Sequence, residues 1–252
     1  MATSYDIVVS GTKAQSVAIP PVNGADGEPL GPAGNGADGV AGTGWNSKHC
    51  EVQATPGQPG NFGLDAPSAQ GGNNGTNAFT VTITCNSYSG DPLNIANLGG
   101  DGSDGNDGGT GGKGSDGGKS GAQPAACKQF VTGGTGGRSG NGGAAGTGGD
   151  AGSAADITVT YGPGISGVPA GATSSSGVPG KAGTAGLTGT PGKGGLNSDG
   201  TAADPGGTGG PGAPGAAGTL SYAGSFNATA GTHVPATYLQ IAIVSHSNTS
   251  NS

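Results

Sequence analysis

The chain has 252 residues, 61 of them glycine, and Leu, Ile, Val and Phe together fall well below the ~20% that a conventional hydrophobic core needs. A formal net charge of −7, a pI near 4.5 and only eight Lys plus Arg exclude a basic surface for nucleic acid or anionic membrane. That charge is too small to force disorder.

The opening residues, Met-Ala-Thr-Ser-Tyr-Asp-Ile, lack the pattern of a secretory signal, and no apolar run approaches the ~18 residues of a membrane span. Tyr5-Asp-Ile-Val-Val-Ser10 then alternates as a strand does. Glycine every third residue begins at Gly24, Gly27, Leu30, Ala33, Gly36, Gly39 and Gly42, a segment carrying one large residue. After Cys50 the period returns at Gly57, Gly60, Gly63, Ala66, Ala69, Gly72 and Gly75. Phe79-Thr-Val-Thr-Ile-Thr-Cys85 reads as a second strand. Two unbroken runs follow, Gly99 to Gly117 and Gly134 to Gly152, separated by Cys127. Asp156-Ile-Thr-Val-Thr-Tyr161 is a third strand. The fifth run, Gly177 to Gly195, is also unbroken, and the sixth is Gly200, Ala203, Gly206, Gly209, Gly212, Gly215 and Gly218. Tyr238 to His246 closes the chain as a fourth alternating strand.

The six periodic segments, 24–42, 57–75, 99–117, 134–152, 177–195 and 200–218, share one length of 19 residues. A polyproline II helix has three residues per turn, a rise of ~3.1 Å and no internal hydrogen bonds. Its backbone groups need partners elsewhere. A glycine ridge lets a neighbouring backbone come close enough to supply them, and rods of equal length, about 56 Å, leave no overhang. The fold expected is a polyglycine II/polyproline II bundle of six rods in a single domain, 1–252, with essentially no α-helix. Short β-strands in the connections 5–20, 45–55, 78–98, 125–132, 155–161 and 219–246 form an accompanying sheet or cap. The short 196–199 connection makes the last two rods antiparallel neighbours. Rods 99–117 and 134–152 have a second small-residue ridge and belong at the centre, whereas 177–195 carries large residues on its other ridges and belongs at an edge.

Site chemistry is sparse. Gly34-Asn-Gly36-Ala-Asp-Gly39 matches a dinucleotide fingerprint only in letters, without the strand and helix that motif requires. Asp101, Asp104 and Asp107 stack along one ridge about 9 Å apart, too far for one cation, and read as a solvated acidic stripe. His49, His233 and His246 are scattered, and no catalytic set, metal set or cofactor site stands out. The chain reads as a non-enzyme. Three cysteines allow one internal bridge, with Cys50 and Cys127 the candidate pair, and leave one thiol. The sequons at Asn74, Asn227 and Asn248 permit glycosylation in a secreted protein.

The Gly-x-x blocks, such as Gly99 to Gly117 and Gly177 to Gly195, resemble springtail (snow flea) antifreeze proteins and the polyglycine tail-fibre adhesins of phages. The first resemblance implies antiparallel polyproline II rods with a flat ice-binding ridge, here Val178, Thr184, Leu187 and Thr190, interrupted by Lys181 and Lys193. The second implies glycan or receptor binding in loops near Trp45 or Phe226. Neither family accounts for the strands. The reading placed first is an extracellular or cell-surface structural protein that assembles with itself into filaments or layers. It would do so through the apolar terminal strands, with Ile7, Val9, Leu239, Ile241 and Ile243 as the assembly residues. Ice and surface glycan are the alternative partners; nucleic acid and membrane insertion are not expected.

Overall fold

The computed structural model describes residues 5–16, 18–31, 34–44, 49–85, 93–162, 170–230 and 240–244, and among them there is no α-helix. In chain order the strands are β1 (Ile7–Ser10), β2 (Val40–Ala41), β3 (Cys50–Val52), β4 (Thr80–Cys85), β5 (Leu93–Leu98), β6 (Ile157–Tyr161), β7 (Ala170–Ser175), β8 (Phe226–Ala230) and β9 (Gln240–Val244). One sheet has the order β1-β5-β7, all parallel, and another the order β8-β6-β4-β9, parallel except for β9. The antiparallel β2–β3 pair stands apart.

Alternation explains how the two larger sheets meet. In β4 the residues Val81, Ile83 and Cys85 are buried while Thr80, Thr82 and Thr84 are half-buried. Ile157 and Val159 of β6 do the same, and Val9 and Ile95 come from the other sheet. These side chains form one apolar cluster between the sheets, each contributing about 1.5–3 kcal/mol by leaving water. Parallel strands usually need helical crossovers. Here the chain leaves one sheet along a glycine-rich rod and comes back along another.

Each strand of these two sheets, β9 excepted, continues directly into a rod or receives one. Strands β1, β5 and β7 run on as rod 1 (11–39), rod 3 (99–122) and rod 5 (177–196); rod 2 (55–78), rod 4 (132–154) and rod 6 (203–222) lead into β4, β6 and β8. The lateral order of the strands is preserved in the rods. Rods 1, 3 and 5 are bonded in parallel, as in Gly27 N–H to Lys113 C=O (2.7 Å) and Gly105 N–H to Lys181 C=O (2.9 Å). Rods 2, 4 and 6 are likewise parallel, through bonds such as Gly60 to Thr135 and Gly148 to Ala216. Between the two layers the bonds run antiparallel, as in Gly100 to Thr76, Gly140 to Gly112, Gly180 to Gly149 and Gly206 to Gly192. Rods 3 and 4 each bond four others and lie at the centre, while rod 5 ends its layer.

Several sequence expectations need correction. Rod 1 begins at residue 11, so most of the 5–20 connection is rod rather than strand. Its glycine register does not pass through Leu30. Between Gly27 and Gly36 it uses nine residues (36 − 27) where the facing rod 3 uses six (119 − 113). The excess bulges out at Leu30 and Gly31, the latter at φ 60, because a leucine does not fit a slot in which two backbones touch. The 125–132 connection holds a turn and no strand, and Gly200, at φ 84, sits in the turn before rod 6. Strand β7 lies outside every strand-rich connection expected.

Beyond the rod ends away from the two sheets, a disulfide joins Cys50 of β3 to Cys127, closing a loop of 77 residues. In the chain-entropy account such a loop contributes about 4.5 kcal/mol. Cys85, at the end of β4 on the same face as Val81 and Ile83, is free and buried, and burial pushes its thiol pKa up.

Candidate functional site

The acidic stripe is not merely solvated. Asp101, Asp104, Asp107 and Asp116 accept backbone N–H bonds from Val178, Lys181, Thr184 and Lys193 of rod 5, at 2.9, 2.7, 2.6 and 2.8 Å. The glycine following each aspartate donates its own N–H to the carbonyl of the same rod 5 residue. Each Asp-Gly pair therefore clasps one residue of its neighbour by both its N–H and its C=O. The same clasp links rod 1 to rod 3 through Asn23, Asp26, Asn35 and Asp38, holding Thr110, Lys113, Lys119 and Ala122. Rod 2 holds rod 4 through Asp65, Asn74 and Asn77, rod 4 holds rod 6 through Asn141 and Asp150, and Asp156, just before β6, holds Ser225, just before β8, in the same way.

The chemistry follows from the rod surface. A residue on the outward ridge has no backbone partner for its N–H within its layer, and a short Asn or Asp side chain on the adjacent rod supplies one. Backbone N–H donation from Thr184, followed by the Thr184 side chain, holds the Asp107 carboxyl below its ordinary pKa; Asn141 acts in the same way on Asp65, and Thr219 on Asp150. At Asp156 the Ser225 side chain is the main cause and its N–H the second.

The residues expected to form a flat ridge do share one line on rod 5. Val178 and Leu187 are 66% and 69% exposed, and Thr184 and Thr190 are exposed beside them. Lys181 and Lys193 are also exposed on that line, and the clasping aspartates run next to it. The ridge is thus charged on itself and on its flank. Of the expected assembly residues, Ile7 and Val9 lie in β1 and Ile241 and Ile243 in β9, both edge strands; Leu239 falls outside the described residues. Trp45 and Asn248 also fall outside them. Phe226 opens β8 at 38% exposed, Asn74 is engaged in a clasp, and Asn227 lies in β8. A shallow cleft of about 480 Å³ opens at the rod 1 bulge, lined by Asp26, Leu30, Asn35, Lys113 and Asp116.

At the junction of strands and rods, Asn97 is fully buried. Its Nδ2 donates to Phe79 C=O at 2.7 Å and its Oδ1 accepts from Ala155 N–H at 3.0 Å. Ser103, Ser115 and Ser139 occupy bundle interiors and accept N–H bonds from Asn73, Asn61 and Gly209. Sequence reading singled out none of these clasps or buried acceptors. The available signal was Asn or Asp just before the glycine position in rods 1 to 3, and before the second small-residue ridge at Asn141 and Asp150 in rod 4, a pattern that rods 5 and 6 lack.

Among the described residues no group of three His, Cys, Asp or Glu is placed to hold a metal, and no helix is long and apolar enough to cross a membrane. No family model and no curated protein matches the chain. Among solved structures it is similar to a springtail antifreeze protein from Granisotoma rainieri, described as a nine polyproline type II helical bundle whose crystal waters match the ice lattice. The identity is 20%, the coverage 81% of this chain and 99% of that chain, and the TM-score 0.11. A likeness at that score supports neither a fold nor a function.

Proposed function

We propose that the protein is a non-enzymatic structural component, working outside the cell or at its surface, that assembles with copies of itself through the edges of its β-sandwich. The rods, read as polyglycine II/polyproline II helices, give it stiffness. One observation carries the reading: the four edge strands, Ile-Val-Val-Ser in β1, Ala-Gly-Ala-Thr-Ser-Ser in β7, Phe-Asn-Ala-Thr-Ala in β8 and Gln-Ile-Ala-Ile-Val in β9, contain no charge and no proline. Natural edges are usually blunted by such residues. Rods 5 and 6, at the end of each layer, are blunted, carrying Pro179, Pro191, Pro205, Pro211 and Pro214. The contrast leaves the sandwich as the part open to pairing.

Strands β1 and β9 lie on one side of the sandwich and β7 and β8 on the other. Copies joining one side to the other make a heterologous contact, which grows as an open chain. The Cys50–Cys127 disulfide suits an oxidising compartment. Ice binding along rod 5 is less favoured, since Lys181 and Lys193 and the neighbouring aspartates would keep that ridge hydrated.

Electron microscopy and light scattering on concentrated protein test the reading. Filaments or concentration-dependent growth are expected, and a Val8→Lys, Asn227→Lys double variant should remain monomeric while keeping its melting temperature. A wild-type protein that stays monomeric at all concentrations overturns self-assembly.

A further inference from the structure

The sequence contains eleven Asn-Gly or Asp-Gly pairs, at residues 23, 26, 35, 38, 74, 101, 104, 107, 116, 141 and 199. Such pairs age by a known route. The glycine amide nitrogen attacks the side-chain carbonyl carbon, water leaves from Asp or ammonia from Asn, and a five-membered succinimide forms. Water then opens the ring and leaves isoaspartate in the main chain.

Ten of the eleven are clasps. In each, the side-chain Oδ1 that would have to turn is held by a neighbour's N–H. The attacking glycine nitrogen is held by the carbonyl of that same residue. Space is closed as well: even a Cβ on the glycine of these pairs would overlap a neighbour, usually its backbone, as Gly24 would Leu64, Gly105 would Gly146 and Gly142 would Gly186.

The eleventh pair is hydrogen-bonded only within its own turn, and no neighbouring rod closes over it. Asp199 Oδ1 accepts only from Thr201, through its N–H at 2.9 Å and its hydroxyl at 2.6 Å, inside the same turn. Gly200 N–H bonds Asn197 C=O at 3.0 Å, again within the turn, and a Cβ there would meet nothing within 4 Å. Both residues are exposed. We propose that the inter-rod clasp protects ten Asx-Gly pairs from succinimide formation in the folded protein, and that Asp199-Gly200, in the turn between rods 5 and 6, is where isoaspartate forms.

The test ages the intact, disulfide-bonded protein at neutral pH below its melting temperature, beside the same protein reduced and held in denaturant. Peptide mapping by mass spectrometry, with fragmentation that distinguishes isoaspartate, reads each site. Deamidation at Asn23, Asn35, Asn74 and Asn141 should be about ten- to a hundredfold slower in the folded protein, since the bond to the side-chain Oδ1 and the bond from the glycine N–H must open together. Isoaspartate at residue 199 should form at nearly the denatured rate. Thr110→Pro removes the N–H that holds Asn23 and should accelerate deamidation there alone; if that variant does not fold, Lys119→Pro makes the same test at Asn35. Equal folded and denatured rates at the four asparagines, or an Asp199 slowed by folding as strongly as they are, overturns the proposal.

Discussion

The two ends of this molecule have the same layers in the same lateral order, yet they are held together by different forces. In the sandwich, Val81, Ile83, Ile95, Ile157 and Val159 fill the space between sheets, which in such packing lie about 10 Å apart. Along the rods the inward positions are mostly glycine, with a few serines and alanines, the layers close until backbones touch, and N–H groups such as those of Gly112 and Gly140 bond directly across the gap to Leu64 and Gly112. The size of the inward side chain decides which regime applies. Hydrocarbon burial tolerates small changes of shape, whereas a glycine position against a neighbouring backbone tolerates no added atom.

That difference is most easily broken at a central glycine. A Cβ on Gly140 would overlap the Leu64 carbonyl and crowd the Gly112 nitrogen, so Gly140→Ala should destabilise by about 3 kcal/mol or more. Gly207 faces outward, its nearest neighbour being Arg138 Cγ at 3.6 Å. Gly207→Ala should be neutral, or stabilising by about 0.4–1 kcal/mol through the unfolded chain. In the sandwich, Ile83→Val should cost only about 1 kcal/mol. Denaturant melts of the three variants give the ranking, and an innocuous Gly140→Ala would mean that the layers are not in backbone contact.

Asn97 marks where one regime hands over to the other. It follows Ile95 along β5, but its amide bonds Phe79 and Ala155, at the points where rods 2 and 4 of the opposite layer pass into β4 and β6. Asn97→Leu keeps the branched heavy-atom shape and leaves a carbonyl and an N–H without partners, for an expected loss of about 2–4 kcal/mol. Amide exchange should show the loss concentrated near Ala155 and the adjoining rod ends. A variant as stable as wild type would make Asn97 an ordinary sandwich residue.

How much of this could be read beforehand also divides between the regions. The glycine period marked the rods because a three-residue repeat is local, and the bare second ridges of 99–117 and 134–152 pointed to the centre of the bundle. Strands with large alternating residues, such as Thr80–Cys85 and Ile157–Tyr161, were legible for the same reason. Strand β7, Ala-Gly-Ala-Thr-Ser-Ser, was not, since nothing local makes it extended; it is a strand because β5 lies beside it. The clasps were misread as an acidic stripe. Their partners are 69 to 87 residues away in sequence, and Asp before Gly looks locally like a turn or a solvated charge. Leu30 was placed in a glycine slot by period alone, although a slot bounded by backbone excludes it.

The smallest expected effect is also the one that separates the two ends by pH. Asp65, Asp107, Asp150 and Asp156 sit below the ordinary carboxylate value of 3.8 in the folded protein. A carboxylate depressed on folding stabilises the folded state above its unfolded pKa, and that contribution disappears as pH falls through the lower, folded pKa. Acid below about pH 4 should therefore loosen the rods, where clasping carboxylates become poorer acceptors, while the hydrocarbon cluster around Ile83 and Val159 is unaffected. Amide exchange corrected for intrinsic rates should show protection falling at Thr184 and Thr219, which donate to Asp107 and Asp150, before it falls in β4 and β6. The asparagine clasps provide an internal control, because Asn23 and Asn74 hold Thr110 and Asp150 with a neutral amide. Loss of protection at Thr110 in step with Thr184 would show that acid acts on the bundle as a whole and not through the carboxylates.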